Sequence, residues 1–409
     1  MEYTAGTDAG RRLDRYLEQI GAVLNNKKRR ASFALYAQGL LGESERKSVE
    51  PIVARSHPKP RKCAAAHQRV CHFLVDSAWS DPEVRRVAAQ YAMSSILQNG
   101  AIDCWIIDDT GFLKQGCHSV GVQRQYTGSA GKKTNCQVAV SLSLATRTEH
   151  MPIDFELYLP ECWTANPERR EEARIPDDVC FKTKAELALD MLKRAVDHGW
   201  PAGVLLADAD YGRSSDFRDG IHALGLDYAV AVDPQTKVWL VDRLGRRSGE
   251  PMSTRELAQT IAQKPRGFRR VTWREGTKER LSARFAFRKV VPYHNDGYDP
   301  AVRRRILFVA EWLDGETSPT KWYLVDVHRS LSHKQLVRLI KQRWRTERVY
   351  QDLKGELGLD HYEGRRFPGW HHHVSVALSC YAFIVAERAR SFPPSRAWSQ
   401  VDRPYAVAA

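Results

Sequence analysis

Two apolar runs in this chain of 409 residues end directly in closely spaced acids, and that feature constrains the fold more than any other. Asp108 and Asp109 follow the run CWII, and Asp208 and Asp210 follow the run GVLLA. A short apolar run of this kind predicts a buried β-strand. Asp is among the residues least often buried without a partner. The sequence therefore predicts two core strands whose ends hold something that compensates the carboxylates.

The elements around these two runs follow a definite order. Helical spacing of apolar residues predicts a helical region up to about residue 100, and the pattern then changes to strands. The predicted strands are the run before Asp109, CQVAVSLSL, IDFELYL, GVLLA and YAVAV, with helices over residues 183–199 and 214–225. The order is strand, strand, strand, helix, strand, helix, strand, with acids at Asp109 and Asp208, 208 − 109 = 99 residues apart. This is the order of the RNase H-like fold, an α/β fold with a mixed sheet flanked by helices.

Positive charge is concentrated in one window of a strongly basic chain. The formal net charge is +14 and the pI is near 9.4. Residues 264–305 hold thirteen Lys and Arg against four Asp and Glu, a net charge of +9. The region is turn-rich and lacks helical periodicity, so residues 235–330 are predicted to form a β-rich insertion. Charge clustered to this degree indicates a nucleic-acid partner, with a solvated basic face as the alternative.

Two groups of cations are candidate DNA contacts. The segments RRVTWRE and RLSARFAFRKVV predict a hairpin with a turn at residues 276–277, in which apolar residues alternate with arginines. The cationic face of that hairpin carries Arg280, Arg284 and Arg288. The second group lies between predicted N-terminal helices and consists of Lys28, Arg29 and Arg30. A solvated basic surface is an equally good interpretation of this second group.

A predicted helix over residues 330–358 places charge where apolar residues belong. It contains no proline, and Ser332 is its predicted N-cap. At about 100° per residue, one face carries both apolar and charged side chains: Leu336, Ile340, Tyr350, Arg343, Glu347 and Lys354. An Arg343–Glu347 ion pair, worth about 0.3–0.5 kcal/mol, explains proximity but not an inward direction. A Glu347 that points inward to join the strand-end carboxylates explains both.

Three carboxylates on rigid elements predict a site for Mg²⁺, which prefers carboxylate and phosphate oxygens. Two such ions about 3.5–4 Å apart hold the attacking and leaving oxygens of an in-line phosphoryl displacement. Mn²⁺ is expected to substitute for Mg²⁺. An apolar strand running into Asp-x-Asp is also typical of haloacid-dehalogenase-type phosphatases and metal-nucleotide glycosyltransferases. The phosphatase pattern requires Thr or Val where this chain has Gly212. Neither class explains the basic insertion or an inward glutamate.

Eight stretches spread over nearly the whole chain carry a family resemblance: KSVEP, WIIDDTGF, SVGVQRQYTG, NCQVAVSLSLA, LYLPE, LLADADYG, ERVYQDLKGELGLDHYEGR and GWHHH. Through them the chain resembles the DDE transposases of bacterial insertion sequences, of the insertion sequence seven-oh-one type related to the insertion sequence four superfamily. The resemblance implies an RNase H-like core whose catalytic, metal-holding acids are Asp109, Asp208 and Glu347. Asp109 is preferred to Asp108 because the related pattern places the ligand directly before Thr. Asp208 is preferred to Asp210 because the family usually has Gly where Asp210 stands, so Asp210 is a small departure from the family pattern.

The resemblance further implies that Arg343 and Lys354 contact DNA near the cleaved phosphate. Related groups have Tyr where this chain has Ile340. The implied activity is Mg²⁺-dependent cleavage at transposon ends, followed by cut-and-paste strand transfer into target double-stranded DNA. Joining two ends implies a homodimer in the assembled complex. The alternatives are a transposase-derived DNA-binding protein and a nuclease without strand transfer.

The sequence predicts five segments in one cytoplasmic protein. They are a helical N-terminal, DNA-binding domain (1–100), the first part of the core (101–234), the β-rich basic insertion domain (235–330), the second part of the core (331–390) and a C-terminal tail (391–409). No apolar window approaches membrane-spanning length, and the N-terminus lacks a secretory signal. No membrane partner is therefore expected. Eight scattered cysteines without a CxxC pair indicate reduced thiols, as expected of a cytoplasmic protein.

Overall fold

A computed structural model describes residues 7–242, 244, 246–275, 280–293 and 304–391. The fold is mixed α/β, with a large mixed sheet and helices. The chain divides into two compact units. The first comprises the described residues up to Ile102, then Asp109–Leu187, and those from Arg345 onward. The second comprises Asp103–Asp108 and Ala188–Trp344.

Five helices open the first unit, as the apolar spacing predicted. They are α1 (Asp8–Leu24), α2 (Lys27–Leu41), α3 (Val49–Ser56), α4 (Pro60–Val75) and α5 (Asp81–Ile96). Helix α1 ends at Asn25, which takes a left-handed φ of 46°, and the next residue, Asn26, caps α2. Helix α5 is capped by Ser80, whose side chain accepts from the backbone N–H of Glu83.

The strands of the first unit form an antiparallel set around one long strand. They are the second half of β1 (Cys104–Leu113), β2 (Gln123–Thr127), β3 (Lys132–Ala145) and β4 (His150–Tyr158). Strands β2 and β4 pair antiparallel with opposite ends of β3, and β1 is also a neighbour of β3. Strands β3 and β4 were both predicted, from the segments CQVAVSLSL and IDFELYL. Strand β2 was not predicted.

The remaining helices of the first unit pack around these strands or precede the second unit. They are α6 (Glu161–Thr164), α7 (Pro167–Ala173), the start of α8 (Lys184–Asp197), α13 (Arg345–Gly355) and α14 (Phe367–Ser391). Helix α14 packs against α5 and β4 and is buried along most of its length. No helix in the described ranges is long and apolar enough to span a membrane. The predicted C-terminal tail lies outside the described residues, apart from Ser391.

The second unit is built on a continuous sheet. Its strands, in spatial order, are the first half of β1, β5 (Val204–Ala207), β6 (Tyr228–Val232), β12 (Lys321–Asp326), β11 (Ile306–Trp312), β10 (Arg280–Pro292), β7 (Lys237–Val241) and β8 (Arg247–Ser253). Strands β1, β5 and β6 are parallel, and β12 joins β6 antiparallel. Parallel strands covered on both faces read as unbroken apolar runs, which is why CWII and GVLLA were recognisable.

The segment predicted as a β-rich insertion contributes β7 to β12 to the second unit. The predicted hairpin is present as β9 (Arg269–Glu275) paired antiparallel with β10. Its predicted turn at residues 276–277 lies outside the described residues. The helices of this unit include the rest of α8 from Ala188, and the short helices α9 (Ala209–Gly212), α10 (Ser215–Ala223) and α11 (Thr254–Ala262).

The predicted helix over residues 330–358 is in fact two helices. Helix α12 (His333–Ile340) begins at Ser332 with the predicted cap, and α13 starts only at Arg345. Residues 341–344 form a turn. Side chains on both sides of the break are bound to other elements: Lys341 pairs with Glu311, and Arg345 donates to the carbonyl of Thr146. These bonds redirect the chain, so the predicted single face across residues 336–354 does not exist.

Candidate active site

The chain division between the two units falls between the first pair of acids, so Asp108 belongs to the second unit and Asp109 to the first. Asp108 is only 7% exposed, and its Oδ2 accepts a hydrogen bond from Arg343 Nη1 at 2.8 Å. The parallel register of β1 with β5 matches Ile106 with Leu206, so continuing it by two residues sets Asp108 level with Asp208. Strand β1 continues to Leu113, so the prediction that it ends at these two acids was wrong; the buried acid, Asp108, has a guanidinium partner within the strand.

Asp109 is half-buried and pairs with Lys184, which was not among the predicted site residues. Its Oδ2 accepts from Lys184 Nζ, with the two side chains 22% and 33% exposed. Lys184 is the first residue of α8, whose start is fixed by reciprocal bonds between Thr183 and Glu186. A cation there opposes the helix macrodipole and is mildly unfavourable. A lysine at this unfavourable helix position is the feature of the sequence that could have pointed to Lys184.

Asp208 occupies the N-cap of the short helix α9, directly after β5. Its Oδ1 accepts from the backbone N–H of Asp210 at 3.0 Å. Asp208 is half-buried, whereas Asp210 is exposed. The turn requires Gly212, because a Cβ at that position would lie 1.9 Å from the carbonyl oxygen of Ala231. The tight contact of α9 with β6 therefore fixes the position of Asp208.

Glu347 lies in the first turn of α13 and is exposed, so the prediction that it points inward along an apolar face was wrong. The helix itself is firmly placed within the first unit. Tyr350 Oη and Ser141 Oγ share a buried hydrogen bond of 2.6 Å, and the Tyr350 ring packs edge-on against Phe155. The exposed glutamate is therefore carried on an element fixed to β3 and β4.

Lys354 ties the far end of α13 to the strand that carries Asp109. Its Nζ donates to the carbonyl of Gly111 at 2.6 Å and to Ser129 Oγ at 3.2 Å. Burial lowers the pKa of this amine. Gly111 follows Asp109 by two residues in β1, so Lys354 relates the helix of Glu347 to the segment of Asp109. Arg343 and Glu347, in contrast, belong to different units.

The predicted DNA-contact cations are distributed over both units. Arg288 is exposed on β10, while Arg284 is half-buried with its guanidinium 3.9 Å from the Trp312 ring centroid. Arg280 pairs with Glu275 through the backbone register of β10 and β9. Lys28, Arg29 and Arg30 lie in the first turns of α2 and not, as predicted, between helices.

The donor set of this site suits a hard divalent cation by type. Asp109 lies within β1 and Asp208 directly follows β5, and both are half-buried carboxylates for which a cationic partner offsets the cost of burial. Asp109 and Glu347 belong to the first unit and Asp208 to the second. In the part of the chain that the structure describes, no three His, Cys, Asp or Glu side chains are grouped so as to hold a metal ion.

Comparisons with known proteins point to one class. Residues 19–280, more than half of the chain, match a family profile described as "DDE superfamily endonuclease", and residues 182–383 match one described as "Transposase DDE domain". Over 177 residues the chain is 30% identical to a protein described as "Probable transposase for insertion sequence element IS701" from Microchaete diplosiphon. That alignment covers 43% of this chain and 43% of that protein, so it spans less than half of the relative.

One solved structure is a distant match. It is described as a "piggyBac transposase synaptic complex with hairpin DNA", with 9% sequence identity and a TM-score of 0.44. The alignment covers 93% of this chain and 73% of that one.

Proposed function

Because the chain belongs to the DDE superfamily endonuclease family, we propose that it is a DNA transposase. The proposed reaction is cleavage of phosphodiester bonds at transposon ends and transfer of the released 3′ ends into target double-stranded DNA. The observation that supports the proposal is the parallel pairing of β1 with β5, since Asp108 and Asp109 lie within β1 and Asp208 directly follows β5. An RNase H-like core is the fold that we propose for this arrangement.

In the proposed mechanism Asp109, Asp208 and Glu347 would hold two Mg²⁺ ions, for which Mn²⁺ would substitute. When bound, the ions neutralise charge on the attacking and leaving oxygens of an in-line displacement. The chain's own residues contribute by positioning the groups that take part in the reaction. Lys184 orients the Asp109 carboxylate, and Gly212 allows the close approach that places Asp208.

Two successive displacements account for both steps. Water attacks the phosphorus at the transposon end, and the 3′-oxygen leaves and takes up a proton. The resulting 3′-hydroxyl then attacks a phosphodiester of the target, loses its proton, and displaces a target 3′-oxygen. Each step exchanges one P–O bond for another and requires no external energy source.

The proposal assigns DNA contact to cations of both units. Arg343 and Lys354 flank Glu347 in the chain and would approach the cleaved strand. Arg280, Arg284 and Arg288 on β10 would contact the phosphate backbone of the DNA. Residues 1–100, with Lys28, Arg29 and Arg30, would bind the transposon end. We further propose a cytoplasmic protein that acts as a homodimer when two ends are joined. A transposase-derived DNA-binding protein and a nuclease without strand transfer are the alternatives.

The test is a cleavage assay on a labelled DNA fragment that carries one end of the element, in Mg²⁺ or in EDTA. We expect Mg²⁺-dependent cutting by the wild type and by the matched control Asp210→Asn, whose side chain is exposed. Asp109→Asn, Asp208→Asn and Glu347→Gln should bind the same DNA without cutting it. Cutting by Glu347→Gln would refute the assignment, and binding without any wild-type cutting would favour the DNA-binding alternative. Addition of target plasmid separates a transposase, which joins the molecules, from a nuclease.

A further inference from the structure

An exposed face of the first unit carries an aromatic ring between cations. Tyr126 lies on β2, the last strand in the order of the sheet, and is 61% exposed. Its partner across the ladder is Lys133 of β3, and Arg124 lies two residues away on the same strand. Because side chains two residues apart in a strand share a face, as do directly opposed residues, these three side chains lie together. All three are exposed.

Protection of an edge strand against pairing with other chains does not by itself account for these three side chains. Charged residues, especially lysine, are common on edge strands because they discourage pairing with other chains. A large exposed aromatic ring has the opposite effect, since it adds an apolar contact. Within the described ranges, the side chains of Arg124, Tyr126 and Lys133 are not engaged by other side chains of the protein. Their arrangement is therefore suited to an external partner with both negative charge and a flat apolar surface.

The face is held in a fixed relation to the helix of Glu347. The turn between β2 and β3 contains Ser129, which bonds both to Lys354 Nζ and to the carbonyl of Gly111. At the other end of the face, Asn135 Nδ2 donates to the carbonyls of Lys114 and Gly116, each at 2.8 Å. A ligand bound on this face is consequently positioned relative to α13 and to the strand of Asp109.

We propose that Arg124, Tyr126 and Lys133 form a binding surface for an unpaired nucleotide at a DNA end. The Tyr126 ring stacks on the base, while the two cations contact the flanking phosphates. Bases inside a duplex are covered on both faces by their neighbours, so a protruding ring finds a free base face only where pairing has ended. The inference rests on the proposed function, because it assigns the substrate of this surface to the end of the DNA that is cut.

The test measures binding alone, in EDTA, by fluorescence anisotropy with the full chain. Two labelled DNAs share one sequence, and one of them carries a short single-stranded extension. Tyr126→Ser should weaken binding of the extended DNA by roughly 5-fold or more and change binding of the blunt duplex by less than about 2-fold. Tyr126→Phe should retain the preference, and Leu97→Ser is the matched control for loss of an exposed apolar side chain in the same unit.

Lys133→Ala supplies the second arm of the test. It should weaken both DNAs and lower the salt dependence of log K by about one unit, because one phosphate contact is lost. Equal weakening of both DNAs by Tyr126→Ser, or no weakening of either, overturns the proposed surface. A protein that cuts DNA but shows neither effect refutes this surface alone. A protein that discriminates the extended DNA but never cuts refutes the proposed function instead.

Discussion

Two adjacent acids in this chain have different surroundings, and we propose that this difference separates their roles. Asp108 is buried against Arg343, whereas Asp109 is half-buried against Lys184. A buried carboxylate bound to a guanidinium is satisfied by the protein. A half-buried carboxylate beside a flexible amine is accessible to a substrate-bound cation. These surroundings support a role in the reaction for Asp109 and a structural role for Asp108.

Lys184→Gln should reduce DNA cleavage with little effect on stability. The ion pair is partly exposed and worth at most about 1 kcal/mol, and removal of a cation from a helix N-terminus offsets part of that loss. We expect the cleavage rate to fall by at least about 10-fold, because the Asp109 carboxylate loses its orienting partner. The matched control is Lys193→Gln on the same helix, where Lys193 pairs with Asp197 at 2.8 Å. A cleavage rate for Lys184→Gln equal to that of the control would remove Lys184 from the site.

At the scale of elements, the division into α12 and α13 matters most. Local sequence favoured one continuous helix, since residues 333–355 contain neither proline nor an interior glycine. The break is set by partners distant in the chain, including Asp108 for Arg343 and Thr146 for Arg345. The spacing of apolar residues does not reveal such partners. The single helical face predicted from that spacing was therefore wrong, because long-range bonds interrupt the helix.

Gly212→Ala should destabilise the protein and abolish cleavage together. A Cβ would lie 1.9 Å from the backbone oxygen of Ala231, so α9 must move away from β6. Overpacking of this kind costs about 1–3 kcal/mol or more, and the displacement carries Asp208 with it. Thermal unfolding and the cleavage assay measure the two effects. Gly116→Ala is the matched control, because nothing lies within 4 Å of its added Cβ. Normal cleavage by a folded Gly212→Ala would show that α9 does not position Asp208.

The sequence predicted the strands that carry the acids more successfully than the groups that surround them. CWII and GVLLA were identified because fully buried parallel strands are continuously apolar. The exposed strand β2 was missed, since QRQYT has neither a long apolar run nor a simple alternation. Lys184 was missed because its significance depends on Asp109, 184 − 109 = 75 residues away in the chain. Patterns of apolar residues indicate which segments are buried. Pairs of side chains far apart in the chain become visible only in the structure.

At the scale of the whole molecule, three buried histidines make the first unit sensitive to acid. Burial lowers the pKa of His150 to about 3 and the pKa values of His371 and His373 to about 4. His373 is held by Tyr36 Oη at 2.8 Å from its Nδ1. Each imidazole is neutral in the folded protein at neutral pH, whereas in the unfolded chain it binds a proton near pH 6.5.

Acidification should therefore destabilise the folded state. The folded pKa values lie below the unfolded value, so the full stability is present above about pH 6.5 and is lost as the pH falls toward 4. At pH 5 the penalty is on the order of 2 kcal/mol for each histidine. Urea unfolding followed by tryptophan fluorescence should show a clearly lower midpoint at pH 5 than at pH 7. An unchanged midpoint would mean that these side chains do not remain neutral in the folded protein.

The most direct measurement of the central claim is a change of metal preference at Asp208. This carboxylate is proposed to be a metal ligand in DNA cleavage, so Asp208→Cys replaces an oxygen ligand with sulfur. Mg²⁺ strongly prefers oxygen, while a transition metal such as Mn²⁺ accepts sulfur more readily. We expect Asp208→Cys to cut end DNA in Mn²⁺ but not in Mg²⁺, whereas wild type and Asp210→Cys cut in both. If Asp208→Cys cuts equally well in Mg²⁺, Asp208 is not a ligand, and the proposed site is wrong.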